Sequence, residues 1–354
     1  MLASPFAFYR GSAAIMAADL AHTPASGLKV QLCGDAHLSN FGGYASPDRQ
    51  LVFDLNDFDE TLPGPWEWDV KRLMASLAIA GRDRGFDDHD RAAVVRAAAS
   101  SYRQTMRDMA AMSQLQVWYS RLTAADVRER WGAQAGQKGL RQFDRQIEKA
   151  MKKDHARASS MLTHRVGGQT RIISNTPLIT PVSDLLQADE AAAFEGVVDE
   201  ALSGYRSSLS GSRRHLIEQF RYVDAARKVV GVGSVGTRAW MVLMLGIVDD
   251  EPLVLQLKEA RKSVLASAAG RSVFDKQGQR VVVGQQLLQA TSDIFLGWTR
   301  VAALDGVPRD FYIRQLWDWK VSADLGKHSP RSWRSTVRCA AGSSLAVTRA
   351  PVTG

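Results

Sequence analysis

Two polar motifs, each directly after a short apolar strand, constrain this chain more than any other feature of its sequence. The first is VQLCGDAHLSNFGG, in which Asp35 and Asn40 follow the apolar run. In the second, LVFDLNDFDE, the strand leads into a cluster of acids: Asp54, Asp57, Asp59 and Glu60. We interpret segments 28–32 and 51–55 as a hairpin across the Gly- and Pro-rich turn between them, which brings Asn40 and the acids together.

The residue types in these motifs are those of a magnesium site. Mg²⁺ binds a few carboxylate or carbonyl oxygens and keeps several waters, which suits loops at strand ends. An acid that does not bind the metal can accept a proton from a hydroxyl nucleophile. Any single Asp here also fits an ordinary turn, where Asp and Asn are favoured for their local hydrogen bonds. The combined spacing favours a metal site beside a general base.

Composition indicates a large globular chain with an anionic partner. The 354 residues are 45% hydrophobic, enough for one large domain or two ordinary ones. A formal net charge of +8 favours a nucleotide, a nucleic acid or an acidic surface. The sequence lacks a secretory signal and a long apolar run, so we expect a cytoplasmic protein without a membrane partner. Cys33 and Cys339 lack the spacing of a zinc site.

The chain divides into a helical part and a β-rich part. Helical periodicity dominates up to residue 209, whereas RKVVGVGSVGTRAWMVLMLG, EPLVLQLKEA and DFYIRQLWDW have the content of strands. We predict an α+β fold with a mostly helical large lobe over 1–211 and a small antiparallel-sheet lobe over 212–325. The Ser-, Arg- and Ala-rich segment 326–354 is predicted to be a disordered tail.

A glycine-rich segment opens the β-rich part. GVGSVGTR places Gly231, Gly233 and Gly236 in a GxGxxG pattern around Ser234. A Rossmann site needs a helix after this pattern, but the strand-like TRAWMVLML follows here. Strand, glycine-rich turn and strand predict a flap whose backbone N–H groups lie over a triphosphate. The next strand ends near Lys258. If Lys258 is buried, a phosphate is its natural partner. The alternative is that Lys258 lies at a solvated strand end.

These residues resemble the protein-kinase-like fold, above all its aminoglycoside and choline kinase branch. CGDAHLSN is similar to the catalytic loop of that branch, roughly HGDxHxxN, and NDFDETLPGPWEWDVKRL is similar to its metal-binding segment. The resemblance implies that Asp35 is the catalytic base and that Asp69 braces the catalytic loop. It implies Asn40 and Asp57 as Mg²⁺ ligands, with Asp54 as the alternative because the DLND repeat allows a shift of three residues.

The order of these motifs differs from that of an ordinary kinase, because the flap and Lys258 follow the catalytic loop. The two lobes need only face each other, so we expect a circularly permuted kinase-like fold that binds ATP and Mg²⁺. On this hypothesis Lys258 neutralises the α and β phosphates and the flap covers them. The strand FYIRQLW becomes the hinge, with backbone groups of Gln315 and Leu316 near adenine.

Over nearly its whole length the chain also resembles a bacterial family, domain of unknown function 2252. SPFAFYRG, CGDAHLSNFG, NDFDETLPGPWEWDVKR, GVGSVGTR and a QLKEA-like strand occur there in this order. This resemblance implies a fold relationship and no substrate. Two departures from the kinase pattern stand out: Cys33 replaces the His of HGD, and the helix expected to offer a Glu to Lys258 has Gln285 and Gln286 instead.

Several functions stay open at this point. The first is an ATP- and Mg²⁺-dependent phosphotransferase acting on an unknown hydroxyl acceptor. The same fold transfers AMP if the nucleotide binds reversed, and a nucleotide-binding pseudokinase fits the two departures. A nucleic-acid-binding protein is the further alternative, suggested by the basic segment EKAMKKDHARASSMLTHRVGGQTR, which equally fits a solvated helix face.

Overall fold

Helices dominate the first half of the chain and an antiparallel sheet dominates the second. The computed structural model describes residues 4–152, 161–229, 236–248, 250–316, 319, 321–322, 333–334, 337–338 and 341. The α+β class predicted from the sequence is confirmed. The helices of the first half are α1 (Pro5–Arg10), α2 (Ala13–Ala21), α3 (Glu67–Asp83), α4 (Asp88–Ala110), α5 (Gln114–Tyr119) and α6 (Ala124–Met151).

Local chemistry explains where these helices begin. The Ser4 side chain accepts a hydrogen bond at the start of α1, and the Asp87 side chain does the same for α4. Thr123 forms a capping box with Asp126 before α6. At Gly136 the α6 backbone takes a positive φ of 67°, so this helix is kinked where the glycine permits it.

The strands of the first half pair differently from the predicted hairpin. They are β1 (Lys29–Leu32), β2 (Phe41–Ala45), β3 (Leu51–Leu55) and β4 (Leu62–Pro65). The hairpin consists of β2 and β3, and β1 pairs with β4 instead. The Gly pair in FGGYA was expected in the turn, but Gly42 and Gly43 pair with Asp54 and Phe53 inside the sheet.

A six-stranded antiparallel sheet forms the second half, in the order β11-β12-β10-β9-β8-β7. These strands are β7 (Ile179–Pro181), β8 (Phe220–Lys228), β9 (Ala239–Gly246), β10 (Pro252–Ala260), β11 (Gly297–Ala302) and β12 (Pro308–Gln315). The remaining elements are β5 (Thr163–Val166), β6 (Gln169–Ile172), α7 (Ala188–Ser208), α8 (Gly211–Ile217), α9 (Ala266–Ala269), α10 (Gln277–Leu288) and β13 (Val321–Ser322).

Helix α7 packs on this sheet, although the sequence assigns it to the first lobe. The Tyr205 hydroxyl donates to the Phe295 carbonyl oxygen (2.6 Å), and Val198 and Leu202 share a core with β-strand residues. Strand β7 also belongs to the sheet. Residues 179–208 therefore pack with the β-rich part, ahead of the predicted boundary at 211.

Helix α10 joins the two halves. Val281 and Val282 are fully buried and belong to the same core cluster as Leu32 and Leu55 of the first half. This shared core holds the sheet against the loops that carry the polar motifs. No helix in the described ranges is long and apolar enough to cross a membrane.

Part of the predicted tail is ordered and buried. Within 326–354 the described residues are helical in conformation, and Trp333, Val337 and Ala341 are buried in the core of the first half. The Trp333 ring meets that of Phe86 edge-on at 5.1 Å. The expectation of disorder is wrong for these positions, because their four-residue spacing puts apolar side chains on one helix face.

Candidate functional site

The acid in the first turn of α3 holds the loop that follows β1. Asp69 is buried, and its carboxylate accepts hydrogen bonds from the backbone N–H groups of Cys33 (2.7 Å) and Gly34 (3.0 Å). Burial raises the pKa of Asp69 to about 6, while the two N–H donors lower it. The structure thus has the contact between Asp69 and this loop that the resemblance implies. The thiol of Cys33 donates to the carbonyl oxygen of Asp57 (3.1 Å).

The two polar motifs lie against each other. Gly34 has a φ of +84°, and a Cβ at this position would overlap the carbonyl oxygen of Glu60. At the far end of the same loop, the Asn56 N–H donates to the Asn40 carbonyl oxygen (2.9 Å). The meeting of Asn40 with the acid cluster, which the sequence predicts, is therefore present, although a different hairpin produces it.

Asp35 is a largely buried carboxylate held by an arginine. Arg72 of α3 donates from Nε (2.6 Å) and approaches from Nη2 (2.5 Å), both to Oδ1 of Asp35. Burial raises the pKa of Asp35 to about 8, although Arg72 opposes this, and the nearby charges of Asp57 and Glu60 raise it further. A carboxylate with a pKa near neutrality is suited to general base catalysis.

Titration of Asp35 predicts a pH-dependent contribution to stability. The pKa of Asp35 is higher in the folded protein than in the unfolded chain. The contribution of this group to the free energy of unfolding is therefore complete below about pH 4 and is lost as the pH rises through about 8. We expect the free energy of unfolding of the wild type, relative to Asp35→Asn, to fall between pH 5 and 9. Denaturant titrations of both proteins test this, and a difference that grows with pH contradicts the assignment.

Asn40 is positioned by the same loop. Its Nδ2 group donates to the backbone carbonyl oxygen of Asp35 (2.7 Å), and its backbone N–H donates to the His37 carbonyl oxygen (2.9 Å). This leaves Oδ1 as the acceptor of the side-chain amide. The amide orientation therefore suits an oxygen ligand for a hard cation.

Lys258 reaches the acid loop, residues 56–61, from the other half of the chain. Its Nζ atom lies 2.7 Å from Oδ2 of Asp59 and 3.6 Å from Oδ1 of Asp57. Lys258 is 4% exposed, so the predicted alternative of a solvated strand end is not what the structure shows. Burial lowers the pKa of Lys258, but the two carboxylates outweigh burial and raise it, so the lysine is charged.

One face of the sheet directs polar side chains at the acid loop. Lys258 pairs in register with Tyr312, whose hydroxyl donates to Oδ1 of Asp59 (2.6 Å). Two residues along β12, Arg314 donates to the Asn56 carbonyl oxygen (3.0 Å). Glu259 points to the opposite face, as strand alternation predicts, and accepts from Arg261 (3.0 Å).

Helix α10 contributes an arginine to this site. Arg280 is buried and donates to the carbonyl oxygens of Asp59 (2.8 Å), Thr61 (2.6 Å) and Arg261 (2.8 Å). It therefore fixes the carbonyl side of the acid loop. Gln285 bonds instead to Gln289 (2.9 Å) of the adjoining segment.

Asp57 and Asp54 occupy different surroundings. The Asp57 side chain is 37% exposed and lies beside Lys258. Asp54 is buried within β3, and its Oδ1 accepts from the N–H of Leu55 (2.8 Å). Asn40 and Asp57 offer oxygen donors of the type that Mg²⁺ prefers, next to a cation suited to phosphate, so these residues fit a magnesium nucleotide.

The predicted flap lies between two antiparallel neighbours. Strand β8 ends at Lys228, and β9 begins at Ala239, so strands flank the glycine-rich segment on both sides. Gly231, Gly233 and Ser234 lie outside the described residues. Gly236 has a φ of +84°, and its carbonyl oxygen accepts from Arg261.

At the predicted hinge, two backbone donors are already in use. The Gln315 N–H donates to Oδ2 of Asp293 (2.5 Å), and the Leu316 N–H donates to the Val254 carbonyl oxygen (2.8 Å). Contact with adenine would therefore involve the carbonyl groups of these residues. Trp317 lies outside the described part of the chain.

The basic segment considered for nucleic acid is described only in part. Lys153 and Arg157 fall outside the described residues. Arg171, on β6, donates to Gln169 (2.7 Å) and lies 3.9 Å from the carboxylate of Asp224. Nucleic-acid binding stays a prediction.

The structure adds residues to the site that the sequence did not single out. Tyr312 and Arg314 alternate along β12 and share its acid-facing side, a period-two signal that is visible in FYIRQ. Asp59 was one acid among several, and its choice as the partner of Lys258 depends on how the loop folds. Arg72 and Arg280 bind groups that are distant in sequence, which no local pattern reveals.

Fold and site together define a mixed α+β protein in which an acidic loop faces Lys258 and Arg314 of an antiparallel sheet. The chain belongs to a bacterial family described as "Uncharacterized protein conserved in bacteria (DUF2252)", whose family model matches residues 1–351. The family predicted from the sequence is confirmed. No curated protein and no solved structure gives a significant match.

Proposed function

We propose that this protein is an ATP- and Mg²⁺-dependent phosphotransferase with a circularly permuted kinase-like fold and a hydroxyl acceptor. The observation that carries the proposal is the approach of Lys258 to Asp57 and Asp59. A buried lysine, acids on a loop and the braced carboxylate of Asp35 are what phosphoryl transfer needs. Lys258 and Asp59 meet here although 199 positions separate them in the sequence.

Each residue has a role in this proposal. Asp35 accepts the proton of the acceptor hydroxyl. The hydroxyl oxygen forms a bond to the γ-phosphorus, and the bond between the γ-phosphorus and the bridging oxygen breaks, so that ADP leaves. Lys258 leaves Asp59 and neutralises phosphate charge. Asn40 and Asp57 would hold Mg²⁺, which when bound neutralises charge on the phosphates.

Positioning provides most of the catalysis in such a site. Asp69 fixes the backbone before Asp35, and Arg72 fixes its carboxylate, so the base is already oriented when the acceptor arrives. Arg280 and Tyr312 orient the acid loop from the opposite side. Preorganised groups of this kind stabilise charge without reorganisation during the reaction.

Replacement of Lys258 tests the nucleotide site. We expect Lys258→Met to weaken Mg²⁺·ATP binding by at least about tenfold, because a charge-assisted contact to phosphate is lost from a buried position. Isothermal titration calorimetry with a non-hydrolysable ATP analogue measures this. Lys262→Met, at an exposed position four residues along the chain, is the matched control and should bind as the wild type does. Equal affinity in all three proteins contradicts the proposal.

Labelled ATP separates the remaining alternatives. Transfer of label from γ-labelled ATP supports phosphoryl transfer, whereas transfer from α-labelled ATP shows that AMP is transferred. Binding of the nucleotide without either transfer, over a broad panel of acceptors, identifies a pseudokinase. A held and oriented Asp35 supports a transferase over a pseudokinase, because a protein that only binds the nucleotide needs no base.

A further inference from the structure

Two buried polar atoms, one on His37 and one on an arginine near it, lack hydrogen-bond partners among the described residues. They are Nε of Arg10 and Nδ1 of His37. Buried polar groups in folded proteins are nearly always paired, because an unpaired group loses its hydration without compensation. Each of these atoms therefore has bonding capacity that a ligand can satisfy.

His37 lies beside Asp35, and Arg10 lies near His37. Nε2 of His37 lies 3.7 Å from Oδ2 of Asp35, which is too far for a hydrogen bond but close enough for van der Waals contact. Burial and the charges of Arg72 and Arg10 lower the pKa of His37 to about 3, so the imidazole is neutral and Arg10 is near it. The Phe6 ring contacts the imidazole edge-on, at 6.4 Å between centroids.

Helix α1, which carries Arg10, is held in place by Arg72. Nη2 of Arg72 donates to the Tyr9 carbonyl oxygen (3.0 Å), and the Tyr9 hydroxyl donates back to the Arg72 carbonyl oxygen (3.0 Å). The Arg72 guanidinium lies 4.6 Å from the centre of the Tyr9 ring. The arginine that orients Asp35 therefore also fixes the residue next to Arg10.

Arg10 is a cation with no counter-ion in the described part of the chain. No ion pair or hydrogen bond joins it to another described residue. A guanidinium presents a planar pair of N–H groups that fits a carboxylate or a phosphate. A neutral imidazole offers one further hydrogen bond through Nδ1.

We propose that Arg10 and His37 form an oxyanion subsite beside Asp35, and that the acceptor is a small hydroxy compound carrying a carboxylate or phosphate group. This inference rests on the proposed phosphotransferase function. Arg10 binds the anionic group, Nδ1 of His37 bonds to an acceptor oxygen, and Asp35 receives the hydroxyl proton. The hydroxyl oxygen forms the new bond to the γ-phosphorus, and ADP leaves with the electron pair of the broken bond.

Calorimetric titrations of the full chain in the presence of Mg²⁺ test the subsite. The probes are D-glycerate, glycerol 3-phosphate and glycerol, which share hydroxyl groups and differ in their anionic group. We expect at least one of the two anions to bind about tenfold or more tightly than glycerol. The comparison of glycerate with glycerol 3-phosphate decides between a carboxylate and a phosphate.

Variants of Arg10 connect this preference to the subsite. Arg10→Gln should abolish the preference for the anion, and Arg10→Lys, which keeps the charge but loses the planar fork, should reduce it several-fold. Arg82→Gln, at an exposed position in the last turn of α3, should leave it unchanged. If thermal unfolding shows that Arg10→Gln does not fold, the anion preference of Arg10→Lys tests the subsite instead.

Two results overturn the subsite. One is that neither anion binds more tightly than glycerol to the wild type, and the other is that the preference survives both Arg10 variants. ATP binding is measured separately, so the two proposals can fail independently. If anions bind in an Arg10-dependent way but ATP does not bind, the subsite is supported and the phosphotransferase function is contradicted. If ATP binds but the anion preference does not depend on Arg10, only the subsite is contradicted.

Discussion

Asp35→Asn is expected to slow the Mg²⁺-dependent release of γ-phosphate from ATP, with water as the acceptor, by about 10²–10⁴-fold. The amide has nearly the volume of the carboxylate but cannot accept the proton of the nucleophile. Binding of the ATP analogue should change little, because Asp35 acts on the acceptor. Phosphate release from γ-labelled ATP gives the rate, and calorimetry gives the affinity.

A matched substitution shows whether this effect belongs to the site. Asp19, in α2, is exposed, so Asp19→Asn should release phosphate at the wild-type rate. Wild-type turnover in Asp35→Asn contradicts the role of Asp35 as the base. Loss of analogue binding together with turnover would instead indicate that the loop has lost its structure.

Asp69→Ala is expected to lower the free energy of unfolding by about 2–5 kcal/mol at neutral pH. The substitution leaves two buried N–H groups, those of Cys33 and Gly34, without an acceptor. It also removes the brace of the loop that carries Asp35, so turnover should fall with stability. Denaturant unfolding followed by circular dichroism measures the first effect.

Asp69→Asn tests whether the acceptor oxygens of Asp69 account for the loss of stability. The amide keeps one acceptor oxygen, so this variant should lose less stability than Asp69→Ala does. The exposed Asp19→Ala should change stability by no more than about 0.5 kcal/mol. A loss below about 1 kcal/mol in Asp69→Ala would mean that the carboxylate does not hold the loop.

The sequence predicts the acidic half of the site better than the pairing that builds it. Asp35 and Asn40 belong to one short motif, whereas Asp69 was singled out by the resemblance alone, and its hydrogen bonds to Cys33 and Gly34 connect it to the loop of that motif. The predicted hairpin of segments 28–32 and 51–55 was wrong. The glycines of FGGYA indicated a turn, but Gly42 and Gly43 lie in a strand. Strand partners depend on tertiary packing, which local composition does not encode.

Long-range contacts account for most of what the sequence could not reveal. Lys258 was expected near phosphate, but its ion pair with Asp59 joins residues 199 positions apart. Arg280 of α10 binds carbonyl groups of the acid loop, a role that no residue pattern predicts. Trp333 was hidden by the polar composition of its segment, although its spacing with Val337 is helical.

The structure of the full chain with Mg²⁺ and a non-hydrolysable ATP analogue tests the central claim most directly. We expect Nζ of Lys258 to leave Oδ2 of Asp59, 2.7 Å away in the present structure, and to contact a phosphate oxygen. We also expect Asn40 and Asp57 to bind the cation between them and the phosphates. A nucleotide bound elsewhere, with Lys258 still paired to Asp59, contradicts this claim.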